Sequence, residues 1–407
     1  MKKHSFILSF PGIFVFTLFF WKCAEDPIKA DLSHFSLTID TLSISEITGE
    51  PYWIAPNLGS TNNLYLGKKN DLDAFISFIG FPDYYNWAAF LDSNSTFDSL
   101  HFVVYSNDSL LTPASTPALF FSPDSQFSES KSTYLDFSEF TTTDWVNLGL
   151  PEIKIDQDTS GNFNHTELIW DILTLFDALT DTSDSNLVRT FVLEPVNDDS
   201  IFLELFSRES QQTNNPKIIT YFRRTTVISD DSTQIDTITS PLGASGDISI
   251  IDPGDSIQDS SFFGVSSGFG LRSVLSFPFD SLSLPEGSLI RSAILSMPLD
   301  SSTMINNFTI VIDPLNVELD SLDTLTDLFD TDPYSVIGYP YRVNSDTKNG
   351  LLEISLKSYL QNITLGNVPS IGFKILASDQ NDPFDKIHFD LSGSLNPGII
   401  RIVYASN

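Results

Sequence analysis

Ile201-Phe-Leu-Glu-Leu-Phe-Ser207-Arg-Glu-Ser-Gln-Gln-Thr-Asn-Asn-Pro216-Lys-Ile-Ile-Thr-Tyr221 returns in shortened form at the C-terminus as Ile387-His-Phe-Asp-Leu-Ser392-Gly-Ser-Leu-Asn-Pro397-Gly-Ile-Ile-Arg-Ile-Val-Tyr404. In both, a short apolar strand runs into a serine, a polar turn ends at a proline, and a second strand rich in β-branched residues follows. A strand–turn–strand unit repeated about one domain-length apart marks a duplication, with each copy ending a domain.

Working outward from these units, the other landmarks also recur in order. Trp53-Ile54-Ala-Pro56 and Leu64-Tyr-Leu-Gly67 correspond to Ile250-Ile251-Asp-Pro253 and Phe262-Phe263-Gly264, with the same eleven-residue spacing from proline to glycine. Ala74-Phe-Ile-Ser77-Phe78 matches Ser273-Val-Leu-Ser276-Phe277, and the strand around Leu100 matches the one starting at Leu289. The middles diverge, as loops do where the scaffold is kept. They converge again where Glu152-Ile-Lys-Ile and Leu168-Ile-Trp-Asp-Ile correspond to Tyr341-Arg-Val and Leu351-Leu-Glu-Ile, each a hairpin feeding one short helix. Many short strands with abundant turn residues predict an all-β chain: two tandem jelly-roll-like β-sandwich domains, each with one short helix. The expected boundaries are a signal segment at 1–23, a tether at 24–43, a first sandwich at 44–224, a linker rich in Thr, Ser and Asp at 225–242, and a second sandwich at 243–407.

With 407 residues the chain has room for two cores, and 41% hydrophobic residues with 34 Phe place it among folded proteins. Its 21 Lys+Arg against 53 Asp+Glu leave a net charge of -32, which repels phosphate backbones and excludes nucleic acid as a natural partner. The N-terminus reads as a sorting device. Lys2-Lys3-His4 is followed by an apolar run from Ser5 to Trp21 and then by Cys23. As the chain has 1 Cys, no intramolecular disulfide can form. Its position resembles the lipid-accepting cysteine of bacterial lipoproteins, with an uncleaved short anchor and cleavage near Ile28-Lys29-Ala30 as the competing readings. All three place the domains outside the cytoplasm, in the cell envelope. The lipoprotein reading adds an outer-membrane anchor, with the domains facing the periplasm or the surface.

The leading Leu-x-Gly strand, the Ala-x-x-Ser-Phe strand, the Trp170-Asp-Ile turn before a short helix and the closing Ser207-Arg-Glu-Ser...Pro216-Lys-Ile-Ile-Thr-Tyr221 together resemble the DNRLRE-type domain, close to carbohydrate-binding module family 96. The resemblance covers 44–224 and, more loosely, 243–405. It implies secreted jelly-roll modules and polysaccharide as a ligand class. The Asp-Asn-Arg-Leu-Arg-Glu string itself is absent, and copy two has Ser392-Gly-Ser where copy one has Ser207-Arg-Glu.

Two local motifs could carry chemistry. Asp156-Gln-Asp158-Thr-Ser160-Gly161-Asn162-Phe-Asn164-His-Thr-Glu167 has the spacing of a calcium loop, with Asp156, Asp158, Ser160, Asn162 and Glu167 as candidate ligands. The competing reading is a hairpin turn stabilised by Asp side chains, since Ile153-Lys-Ile155 alternates like a strand. Tyr84, Tyr85 and Trp87 form an aromatic insertion in copy one, where a glycan platform and ordinary core packing compete. The five histidines, His4, His34, His101, His165 and His388, are scattered, and no serine sits in a nucleophile elbow. The expectation is a non-enzymatic lipoprotein that binds polysaccharide or mediates adhesion, with calcium as the one candidate cofactor. The alternative is a structural or assembly protein of the envelope that contacts other proteins.

Overall fold

The computed structural model describes residues 38–81, 94–124, 126–181, 189–196, 202–210, 213–229, 232–254, 263–277, 284–285, 287–316, 328–329, 331–369, 371–391 and 398–406. The fold is all-β, as the turn-punctuated sequence predicts. Burial alternates along the strands, for example in Phe202–Phe206 and Leu289–Pro298, because successive side chains leave opposite faces. Helices are short: a turn at Leu173–Leu175 runs into Phe176–Leu179, and Lys357–Thr364 buries Tyr359 and Leu360. Both lie where the repeated hairpins lead. Among the described residues no helix is long and apolar enough to cross a membrane.

One large sheet runs in the order Ser232–Gly243, Lys217–Ser229, Ser95–Ser106, Phe202–Phe206, Asn63–Lys69, Leu72–Phe81, Arg189–Glu194, Ala118–Ser122, Val146–Gly149. Phe163–Asp171 also pairs with Ser95–Ser106 and carries Glu152–Gln157 outside it. Leu64, Phe81, Phe102, Trp170, Phe191 and Leu205, drawn from both ends of this order, meet in one core. A second core, including Leu275, Leu295, Ile310, Leu352, Ile375 and Ile400, takes its residues from two further sheets. The first sheet is Thr38–Ile44, Ile399–Ser406, Leu289–Pro298, Leu351–Ser355; the other is Leu328–Phe329, Thr48–Ile54, Leu271–Ser276, Phe373–Ala377, Thr309–Pro314, Val343–Asp346.

Pairing crosses the boundaries expected from sequence. The expected linker 225–242 is paired backbone: Lys217–Ser229 and Ser232–Gly243 form a long hairpin, in one register from Lys217 opposite Gly243 to Val227 opposite Thr233, with a shift before Ser229 opposite Ser232. The expected tether likewise contains a strand, Thr38–Ile44, paired over its full length with the C-terminal strand. Both segments read as connectors because they are polar, yet Thr and Ile suit a strand with one face in water, and burial in 232–243 alternates accordingly.

The leading strands are exchanged. Gly246–Asp252 pairs with Leu72–Phe81, so it completes the N-terminal sheet. Thr48–Ile54, its counterpart in the first copy, pairs with Leu271–Ser276 in the C-terminal half. Ile248 and Ile250 are buried in one body and Tyr52 and Ile54 in the other, while Ile251 and Trp53 meet in a cluster with Tyr65, Leu72, Leu271 and Phe384. At roughly 1.5–3 kcal/mol per buried large apolar side chain, each exchanged strand contributes on the order of 5–9 kcal/mol before the entropy of ordering it is counted. Register in the first case is fixed by a buried hydroxyl chain: the Tyr65 N–H donates to Ser249 Oγ (2.7 Å), which lies 2.9 Å from Ser77 Oγ, and Ser77 donates to the Tyr65 carbonyl (3.0 Å).

Candidate functional site

The richest cluster of charged groups lies at the start of the exchanged strand Gly246–Asp252. Asp247 projects from that strand, Glu129 comes from the loop after Ala118–Ser122, and Arg208 and Glu209 come from the turn after Phe202–Phe206. That turn is held from within: Ser207 Oγ donates to the Thr61 carbonyl (2.6 Å) and accepts from the Glu209 N–H (3.1 Å). Glycine lets the Glu129 loop come close, since a Cβ on Gly59 would lie 2.0 Å from the Glu129 carbonyl oxygen. Asn57 Nδ2 donates to that same oxygen (3.0 Å) and to the Ser132 carbonyl (2.8 Å).

Glu129, Glu209 and Asp247 each bring a carboxylate oxygen within 4.8 Å of the others. The Arg208 guanidinium lies 2.7 Å from Glu209 and 3.3 Å from Glu129, and it also donates to the Ser245 carbonyl. The Arg208 N–H donates to Asp247 Oδ2 (2.7 Å), and the Asp247 N–H donates to Glu129 Oε1 (3.2 Å). Three carboxyl groups thus share one arginine. Burial pushes the Asp247 carboxyl up to about 8; Glu209 and Glu129 add to the rise, while the Arg208 N–H and charge oppose it. The rise favours the protonated carboxyl toward neutral pH. Glu209 Oε2 is buried with no hydrogen-bond partner among the described residues, and the Asp247 proton adds a donor to a cluster otherwise dominated by acceptors. With Arg208 already among the carboxylates, the arrangement acts as a polar clasp on the strand Gly246–Asp252.

A second clasp holds the other exchanged strand. Asp332 accepts from Arg272 and from Lys374, and Tyr52 OH, on Thr48–Ile54, lies 3.4 Å from it. Burial, followed by the Asp332 charge, pushes the Tyr52 hydroxyl far above the usual phenol range, so it stays a donor. Between the two bodies, Lys69 lies 2.6 Å from Asp382 and stands over the rings of Phe202 and Phe384 at 4.7 and 5.4 Å. Tyr65 meets Phe384 edge-on at 5.3 Å. Beside this contact opens a polar cleft lined by Ser60, Asn62, Glu209, Arg342, Asn344 and Asp379.

The residues singled out from sequence fall elsewhere. Asp156 to Glu167 form the turn and flanks of the hairpin Glu152–Gln157 and Phe163–Asp171. Asp158 accepts from the Ser160 N–H, the Asn162 N–H and Asn162 Nδ2, all at 2.8 Å, and the Asn162 contacts chiefly hold its carboxyl below the usual range. Asp156 accepts from Asn164 Nδ2 (3.0 Å), and Glu167 lies 2.8 Å from Lys154 Nζ. Ser160 and Asn162 thus present N–H groups to Asp158, while the Asp156 and Glu167 oxygens face the Asn164 and Lys154 side chains. Trp53 and Trp170 are core residues and Trp145 packs with Phe78 and Phe140. Tyr84, Tyr85, Trp87 and Cys23 lie outside the described residues. Sequence reading missed Glu129 and Asp247 as a pair with Arg208 and Glu209. The signal available was that Ser207-Arg-Glu in copy one becomes Ser392-Gly-Ser in copy two, so the acid and the arginine serve only one copy.

Away from the clasps, the hairpin Lys217–Ser229 and Ser232–Gly243 extends past its pairing with the described part of its neighbour. Among the described residues, Ser95–Ser106 pairs with it from Lys217 to Arg224, the Thr225 N–H donates to the Asn94 carbonyl (2.9 Å), and from there on the two arms pair with each other. Val227, Ile228 and Ile235 there are 70%, 63% and 62% exposed. Compared with known proteins, the chain matches no family model, no curated protein and no solved structure.

Proposed function

We propose that this chain is a non-catalytic cell-envelope lipoprotein, held by a lipidated Cys23, whose tandem jelly-roll-like modules act in assembly or adhesion through contacts with other proteins. The observation that carries this reading is the outer part of the hairpin, which puts Val227, Ile228 and Ile235 into solvent on paired backbone, while its base supplies Ile218 and Phe222 to the interior. Exposed aliphatic side chains on a protruding β-arm suit insertion against a protein partner. Of the described tryptophans of copy one, Trp53 and Trp170 are buried in the interior and Trp145 is half-buried against Phe78 and Phe140.

Polysaccharide binding, implied by the resemblance to DNRLRE-type domains, is the second reading. It draws on the polar cleft of Asn62, Arg342, Asn344 and Asp379, and on Tyr84, Tyr85 and Trp87. One experiment separates the two: residues 31–407 are cross-linked to isolated envelopes and, in parallel, applied to insoluble polysaccharides with calcium and with chelator. The assembly reading expects a discrete protein cross-link that is lost in a Val227→Ser, Ile228→Ser, Ile235→Ser variant with an unchanged melting temperature. Retention on polysaccharide that Trp87→Ala abolishes, with no arm-dependent cross-link, would replace it by the glycan reading. Retention only with calcium would return the Asp156 loop to candidacy.

A further inference from the structure

In sequence the chain is two stretches, 38–252 and 264–406, joined by the eleven residues 253–263. In space they interlock. Thr38–Ile44 pairs with the C-terminal strand from Thr38 opposite Ser406 to Ile44 opposite Ile400, and Thr48–Ile54 pairs with Leu271–Ser276. Ile44 sits in the same core as Leu275, Ile290 and Ile400, and Tyr52 and Ile54 sit with Val274 and Leu315. The C-terminal stretch is thus completed by strands that belong to the N-terminal one.

The repeat explains this arrangement. Ile39-Asp-Thr-Leu-Ser43 and Ile235-Asp-Thr-Ile-Thr239 are the same element in the two copies. Each pairs with a closing strand: the second with Lys217–Ser229 immediately before it, the first with Ile399–Ser406 at the far end of the chain. Every body is therefore finished by the leading strands of a repeat other than the one that supplies the rest of it. For the N-terminal body the supplier is the next repeat along the chain. For the C-terminal body the supplier is the chain's own first strands, which fold back to fill the place.

We infer that a second copy of this chain is the natural partner of that place, so that 38–252 of one molecule completes 264–406 of another and the reverse. The pairing of Thr38–Ile44 and Thr48–Ile54 with the C-terminal stretch, the Tyr52 contact with Asp332 and the Lys69–Asp382 contact are then made between chains as they are within one. The two stretches are joined by residues 253–263. Eleven residues reach up to about 36–40 Å when extended, enough to lead away from the neighbouring body. The balance between closed monomer and exchanged dimer is set by concentration and by the connector, as in domain swapping generally. The net charge of -32 per chain opposes it at low salt and is screened at high salt. The inference stands apart from the choice between protein and glycan ligands.

The test uses the full-length chain in a Cys23→Ser background, as two differently tagged variants, Thr41→Cys and Val403→Cys, whose residues face each other in the ladder. The two are mixed, unfolded, refolded together over a hundredfold range of concentration at low and high salt, oxidised and run without reductant. Exchange gives a disulfide-linked dimer carrying both tags, with the dimer-to-monomer ratio rising about tenfold per tenfold protein while dimer is scarce. Light scattering gives twice the monomer mass before oxidation. Refolding to the native melting temperature with monomer mass throughout and no two-tag dimer would overturn the inference. So would dimers that form equally well when Val403→Cys is replaced by a cysteine on the projecting hairpin, Thr226→Cys.

Discussion

Asp247 shows how one side chain ties a strand to its surroundings and to pH. Its carboxyl ordinarily titrates near 3.8 and is pushed up to about 8, first by burial and then by Glu209 and Glu129. Between those values the folded protein holds a proton that the unfolded chain has lost, so stability falls as pH rises through this window and the loss is complete above it. The slope from this group is at most about 1.4 kcal/mol per pH unit. Asp247→Asn keeps an acceptor for the Arg208 N–H and supplies permanent donors toward Glu129 and Glu209. Thermal melts are expected to bring the variant and the parent closest together near pH 4, at the foot of this window, where Asp247 is protonated in the folded protein and still partly so in the unfolded chain, and to separate them as pH rises. At pH 8.5 the variant should melt several degrees higher, corresponding to roughly 1–3 kcal/mol. A variant less stable than the parent at pH 8.5 would mean that Asp247 is held ionised by Arg208.

At the scale of elements, the exchanged strands matter through burial and through register. Ile250 is 1% exposed within Gly246–Asp252, and the ladder against Leu72–Phe81 shifts register just after it. Ile250→Ala should cost roughly 2–5 kcal/mol, the usual range for emptying a packed aliphatic site. Hydrogen exchange should then quicken in Leu72–Phe81, a strand more than 160 residues earlier in the chain, while Leu271–Ser276 keeps its protection. Protection lost in Leu271–Ser276 instead would contradict the pairing. The sequence made the strands and the short helices legible because their side chains alternate and their turns recur. Pro56 and Pro253, Gly67 and Gly264, and the two closing units recur along the sequence in the same order. Which strand lies beside which was not legible: Trp53-Ile54 and Ile250-Ile251 are equally apolar, so either would fill either slot, and only the chain's path through space assigns them. The clasp at Asp247 was hidden for a related reason. Glu129, Arg208, Glu209 and Asp247 come from three separate parts of an acidic chain, and nothing local marks them as neighbours.

For the whole molecule, interlocking reverses the ordinary consequence of a truncation. In a string of independent domains, removing the first 57 residues would damage the first domain and spare the second. Here Thr38–Ile44 and Thr48–Ile54 contribute two strands to the C-terminal sheets and none to the large N-terminal sheet. Their loss would leave Ile399–Ser406 and Leu271–Ser276 each with one open edge and would uncover Val274, Leu275 and Leu315, which Tyr52, Ile54 and Ile44 help to bury. Unpaired edges and exposed apolar surface of this kind cannot offset the entropy of ordering the remaining strands. The N-terminal body, by contrast, keeps Ser232–Gly243 and Gly246–Asp252 and hence its full set of pairings. Limited proteolysis of a chain starting at residue 58, read by mass spectrometry, is therefore expected to leave 58–252 as a resistant core and to digest 264–406. Adding a peptide of residues 36–57 in excess should restore protection to 264–406, because it supplies both missing strands without the rest of the first repeat. Digestion that begins within 58–252 and leaves the C-terminal half intact would show that the leading strands stay with their own copy, and with that the exchange itself would fall.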